Sequence, residues 1–110
     1  MSQPGDRVGA ILSAVKNEVR LLGYGVYDGE QDAPESAFEG FMGMTVEEIK
    51  RQIPDFFPRT NPRITLDDGR VVWGCQCWWG SEEEVKRVCA GRKVTIVDIH
   101  GDPLKQEEPA

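Results

Sequence analysis

The segment RITLDDGRVVWGCQCWWG, residues 63–80, restricts the fold more than any other part of the chain. It has β-branched and aromatic residues on both sides of Asp68-Gly69, a dipeptide typical of a two-residue type I′ turn. Such a turn fixes the pairing of the flanking strands, with Ile64 opposite Trp73. The segment therefore predicts a β-hairpin with a defined register.

Alternation along these strands predicts one apolar face and one mostly polar face. The apolar face would hold Ile64, Leu66, Val71, Trp73, Cys75, Cys77 and Trp79. The polar face would hold Trp78 beside Gln76. We expect the apolar set to be core, with the cysteines acting as small hydrophobic side chains.

The N-terminal segment predicts an amphipathic helix over 7–22. Its apolar residues recur at spacings of three and four, at Val8, Ile11, Leu12, Val15, Val19 and Leu22. Asp6 precedes the segment as a possible N-cap, and Gly23 follows it at the position where glycine often ends helices. The interpretation is a helix that covers a sheet.

Two further helices are indicated by capping boxes. Thr45 and Glu48 form the first, and that helix must end before Pro54, which disfavours helical geometry in the preceding residue. Ser81 and Glu84 form the second. We expect both helices to join the first in one layer.

The predicted fold class is α+β, a single domain over 1–110 with helices packed on one face of a mixed sheet. The element order is α-β-α-β-β-α-β, with strands at 24–27 and 93–100 beside the hairpin, the latter reached by a parallel crossover. An acidic irregular loop is expected at 28–44 and a frayed tail at 101–110.

Charge and composition limit the classes of partner. Thirteen basic against nineteen acidic residues give a formal charge of −6, which disfavours nucleic acid and anionic membranes. No apolar run approaches the roughly 20 residues of a membrane span, and the N-terminus lacks a secretory signal. Three cysteines form no disulfide framework, so we expect a cytoplasmic protein without a cofactor.

The function predicted from these features is non-catalytic binding of another protein or of a second copy of the chain. No nucleotide-binding, hydrolase or metalloprotease motif is present, and one histidine leaves little general-base capacity. Trp78 is either an exposed interface anchor or is covered by the loop around 55–58. The predicted partner-binding residues are Trp78, Gln76, Phe56, Phe57 and Phe41.

The alternative function is a cysteine-based module. Cys75, Cys77, Cys89 and His100 are suitable ligands for a structural zinc ion, or the thiols could support redox chemistry. Asp98 could also orient His100 beside a nucleophilic cysteine. The C-x-C spacing departs from the C-x₂-C of zinc knuckles, and the cysteines are predicted to be buried, which disfavours a reactive thiol.

Overall fold

The computed structural model describes residues 2–104, which form six strands and two short helices. The strands are β1 (Arg7–Ala14), β2 (Glu18–Asp32), β3 (Thr60–Leu66), β4 (Val71–Trp73), β5 (Trp78–Ser81) and β6 (Lys93–Ile96), and the helices are α1 (Val46–Gln52) and α2 (Glu82–Cys89). Within these residues, no helix is long and apolar enough to cross a membrane.

All six strands join one sheet. The strand order is β4-β3-β2-β1-β5, and every pairing along that path is antiparallel. The long strand β2 has β1 on one side, and its other side is shared between two strands. Its second half pairs with β3, while its first four residues pair in parallel with β6.

The predicted fold class is therefore wrong. The protein is built on a mostly antiparallel sheet and does not have the order α-β-α-β-β-α-β with a layer of helices on one face. Only α2 packs on the sheet. Helix α1 belongs to an excursion between β2 and β3 that has its own small hydrophobic cluster.

The segment predicted as a helix over 7–22 is the hairpin of β1 and β2. The chain reverses after Val15, whose N–H donates to the Glu18 carbonyl at 2.8 Å. Both faces of β1 are buried, with Val8 on one face and Ile11 on the other. A strand buried on both faces lacks polar alternation, and its apolar residues also fit a helical spacing.

The hairpin of β3 and β4 exists, but its register is one residue away from the prediction. Ile64 pairs with Val72 and not with Trp73. The Leu66 N–H donates to the Arg70 carbonyl at 2.8 Å, so the turn has three residues instead of two. Gly69 takes a φ of +92°, the left-handed conformation that such three-residue turns require.

The shifted register changes which side chains enter the core. Val72 is 2% exposed, whereas Val71, which was predicted to be core, is 39% exposed. Strand β4 also ends at Trp73, where a 3-10 helix over Gly74–Gln76 begins. Cys75 consequently does not lie on a strand.

This 3-10 helix carries the chain from one edge of the sheet to the other. Strands β4 and β5 lie at opposite ends of the strand order, a distance of about 19 Å if the sheet were flat. Only residues 74–77 join them, three of which are wound into the 3-10 helix. The sheet is therefore strongly curled around an interior cluster made of Val8, Ala10, Leu22, Ile64, Leu66, Val72 and Val97, with Leu12, Tyr27, Cys77 and Trp79 packed against it.

Helix α2 covers the outer face of β1 and β2. The predicted N-cap is confirmed, since the Ser81 hydroxyl accepts from the Glu84 N–H at 3.2 Å, but the capping box is incomplete, because the Glu84 carboxylate accepts from the Ser81 hydroxyl and not from the Ser81 N–H. Val85 is buried against Ile11 and its neighbours on the sheet. Gly9 permits this approach, because a Cβ at that position would lie 2.8 Å from Val85 Cβ.

The segment between β2 and β3 is docked through aromatic packing. The expected irregular loop over 28–44 contains the end of β2 and two 3-10 helices, Glu35–Phe38 and Phe41–Gly43. Phe38 is only 1% exposed and anchors the segment. The predicted capping box of Thr45 is confirmed, and α1 ends at Gln52 before Pro54.

The beginning of the expected tail returns to the sheet. The Leu104 N–H donates to the Ile96 carbonyl at 3.0 Å, and Pro103 forms a bridge with Val97. Residues 101–104 are thus held beside β6. The rest of the expected tail, 105–110, lies outside the described residues.

Candidate functional site

The most prominent exposed aromatic side chain is Trp78, the first residue of β5. It pairs with Ile11 of β1, and 49% of its surface is exposed. An apolar depression of about 250 Å³ lies beside the ring. Its lining consists of Ile11, Leu12, Ser13, Ala14, Trp78 and Val88. The depression thus runs along the end of β1, between β5 and α2.

The carboxylate of Glu84 and the ring of Trp78 both lie close to Gly80. A Cβ on Gly80 would lie 3.3 Å from Glu84 Oε2 and 3.6 Å from Trp78 Cη2. The carboxylate of Glu84 and the Trp78 ring therefore border the same small space above the strand. Glu84 forms no salt bridge with any basic side chain among residues 2–104. Glu84 Oε1 accepts from the Ser81 hydroxyl at 3.1 Å, which leaves Oε2, on the side of Gly80, to meet an external cation.

Trp79 faces the interior of the curled sheet. Its ring lies 4.8 Å from the Tyr27 ring, between centroids, with an interplanar angle of 33°. The two adjacent tryptophans therefore lie on opposite faces of β5, as alternation predicts. Of the two, only Trp78 presents a large exposed apolar surface.

The loop that could have covered Trp78 packs elsewhere. The rings of Phe56 and Phe57 lie 5.2 and 5.6 Å from Phe38, between centroids. Phe56 is 6% exposed, so it is a core residue and not a free contact residue. Phe41 packs edge-on against Phe38 at 5.9 Å. Three of the five predicted partner-binding residues thus form one internal cluster.

The Gln76 side chain forms a local hydrogen bond in the 3-10 helix and is not part of the Trp78 surface. Its Oε1 accepts from the Trp73 N–H at 3.0 Å, which closes the 3-10 helix. Gln76 and Phe41 instead line a second groove of about 500 Å³. The structure therefore does not bring the predicted set together around Trp78.

The second groove also brings Cys75 and His100 to its walls. Cys75 Sγ lies 3.4 Å from the Ala37 carbonyl, and burial raises the pKa of this thiol. A nucleophilic cysteine needs the opposite shift, which cationic neighbours or a helix N-terminus provide. The groove has the size of a ligand pocket but not the electrostatics of a thiol active site.

The three cysteines are free and lie in three separate hydrophobic clusters. Cys77 packs in the interior cluster. Cys89, the last residue of α2, packs in the cluster between α2 and the sheet, and Cys75 packs against the cluster around Phe38. Burial, followed by the proximity of Cys75, raises the pKa of Cys77 to about 12. Across residues 2–104, His, Cys, Asp and Glu side chains form no group of three or more that could hold a metal ion.

The sequence did not reveal the surroundings of Trp78. Residues 11–14 were assigned to a helix, and Glu84 was interpreted only as a cap. The available signal was the continuous apolar run VGAIL at 8–12, which is typical of a strand buried on both faces.

No protein-family model, curated protein or solved structure matches this chain. Function has to be argued from the site itself.

Proposed function

We propose that the protein is a small, non-catalytic binding module that holds a partner protein on the Trp78 surface. This surface is defined here as Trp78, Glu84, Val88 and residues 11–14. The observation that carries the proposal is the half-exposed tryptophan beside an apolar depression. Tryptophan is strongly enriched among residues that dominate binding energy at protein interfaces.

The composition of the surface supports a protein partner over a small molecule. The depression holds about 250 Å³ and is open, which is below the range of typical ligand pockets. Its apolar floor with a carboxylate at the rim matches the usual organisation of an interface, apolar at the centre and polar at the edge. The formal charge of −6 favours a basic partner.

The proposal includes a reducing cytoplasm as the compartment. All three cysteines are free thiols, and two of them have pKa values raised by burial. Such thiols act as packing residues, and free thiols persist where the environment is reducing.

The test is Trp78→Ala with Val71→Ala as a matched control, since Val71 is another exposed hydrophobic residue on a different strand. Because about half of the Trp78 surface is already exposed, we expect Trp78→Ala to lose no more than about 2 kcal/mol of stability and Val71→Ala no more than about 1 kcal/mol. Affinity capture from the source lysate should retain a specific partner with wild type and the control but not with Trp78→Ala. Equal capture by all three proteins would contradict the proposal.

A further inference from the structure

The outer edge of β5 is the second unusual feature of the Trp78 surface. Among residues 2–104, β5 pairs on one side only, with β1. Residues of an antiparallel strand direct their N–H and C=O groups alternately to the two sides. Two of the four residues of β5 therefore present both backbone groups outward.

The edge of β5 also carries neither a charge nor a proline, the side chains that usually discourage pairing. Natural edge strands carry charges, prolines or bulges that discourage another strand from adding. Strand β6 begins with Lys93, and β4 has only three residues before it enters the 3-10 helix. Strand β5 reads Trp-Trp-Gly-Ser, without a charge or a proline.

The Trp78 and Glu84 side chains beside this edge favour a basic residue in an added strand. Trp78 and Gly80 lie on the face of β5 that is next to α2, and the Glu84 carboxylate borders the Trp78 ring there. A cation over a tryptophan face is attracted by the ring quadrupole. An arginine or lysine stacked on Trp78 would also pair with Glu84.

We infer that β5 binds an extended basic segment of the partner protein by β-strand addition. The segment contributes a new edge strand and places a lysine or arginine between Trp78 and Glu84. A second copy of this chain fits less well, because two chains of charge −6 repel each other. This inference rests on the proposed function, because it specifies how the Trp78 surface binds.

The experiment uses a phage-displayed library of random dodecapeptides selected against the full chain. We expect enriched peptides that carry basic residues. Glu84→Gln should weaken binding of the enriched peptides about threefold to fivefold, the effect of one solvent-exposed ion pair, because it removes the charge next to Trp78 while keeping the size of the side chain. Glu83→Gln, which removes the adjacent exposed charge, is the matched control and should change the affinity less than twofold.

Hydrogen exchange distinguishes strand addition from other modes of binding. A bound peptide should slow exchange at the outward-facing amides of β5, and N-methylation of the peptide backbone at alternate residues should abolish binding. Peptides that depend on Trp78 but leave these amides unprotected would refute strand addition and leave the proposed function intact. Enrichment of acidic peptides, or none at all, would also overturn the inference.

Two further outcomes distinguish the inference of strand addition from the proposed function. If wild type captures a partner through Trp78 in lysate while the library yields no binder, strand addition fails and the proposed function stands. If sedimentation shows a wild-type dimer that Trp78→Ala converts to a monomer, the occupant of β5 is a second copy and the inference of a basic segment is wrong.

Discussion

Exchanging valine for threonine at two adjacent positions tests the register of the β3–β4 hairpin. Val72 is 2% exposed in the interior cluster, and Val71 is 39% exposed on the other face. Threonine has nearly the shape of valine and the same branching at Cβ, so strand propensity and volume are largely preserved. The difference between the variants therefore reports where a hydroxyl group is placed.

The magnitude follows from the composition of the core. No polar or charged residue among residues 2–104 is buried, and Val72 lies in the apolar interior cluster, so a hydroxyl at position 72 is placed away from water in apolar surroundings. A buried hydroxyl without a hydrogen bond costs about 1–3 kcal/mol in mutational data. At position 71 the hydroxyl reaches water, and the free energy of unfolding should change by less than about 0.5 kcal/mol.

Urea unfolding at 25 °C measures both values. With a slope of about 2 kcal/mol per molar urea, Val72→Thr should lower the midpoint by roughly 1 M and Val71→Thr by less than about 0.3 M, at unchanged slope. The reverse order of the two variants would refute the three-residue turn. It would restore the two-residue turn, in which Val71 faces the core.

Three other perturbations test separate parts of the structure. Gly9→Ala should destabilise the fold by about 1–3 kcal/mol in a melting experiment, because the added alanine Cβ would lie 2.8 Å from Val85 Cβ. An unchanged melting temperature would mean that α2 does not approach β1 this closely. Burial raises the pKa of Cys77 from 9.0 to about 12, so the folded state holds the thiol proton more tightly than the unfolded state; this stabilisation is complete below pH 9 and is lost as the pH rises toward 12. The free energy of unfolding should therefore fall less steeply at alkaline pH in Cys77→Ala than in wild type. Parallel curves for the two proteins would contradict this expectation. Arg7 bridges Asp67 and Glu82 and holds the pKa of both carboxyl groups below their usual values. Arg7→Gln should therefore raise the two carboxyl pKa values in an NMR titration. Unchanged pKa values would mean that the ion pairs do not persist.

Local signals in the sequence predicted local structure correctly. The caps at Thr45 and Ser81 depend on side chains three residues away, and both helices begin where the caps indicated. The position of α1 relative to the sheet could not be predicted in this way, because it depends on Phe38 packing against Phe56 from a different part of the chain.

The largest error came from a strand whose two faces are both buried. Val8 and Ile11 contact different clusters, but a spacing of three also fits one face of a helix. The register error had a smaller cause, a turn of three residues where Asp68-Gly69 suggested two. That single residue exchanged the roles of Val71 and Val72.

The division of one side of β2 between β3 and β6 affects the order of events during synthesis. Glu18 pairs with Lys93, so the first half of β2 keeps an open edge until the segment around Lys93 has left the ribosome. Val19 and Leu21 lie on that stretch and are buried in the finished protein. Closing so distant a pair is entropically costly and slow. The nascent chain therefore exposes an apolar strand edge until β6 has been synthesised, and a chaperone that binds such edges can act during that interval.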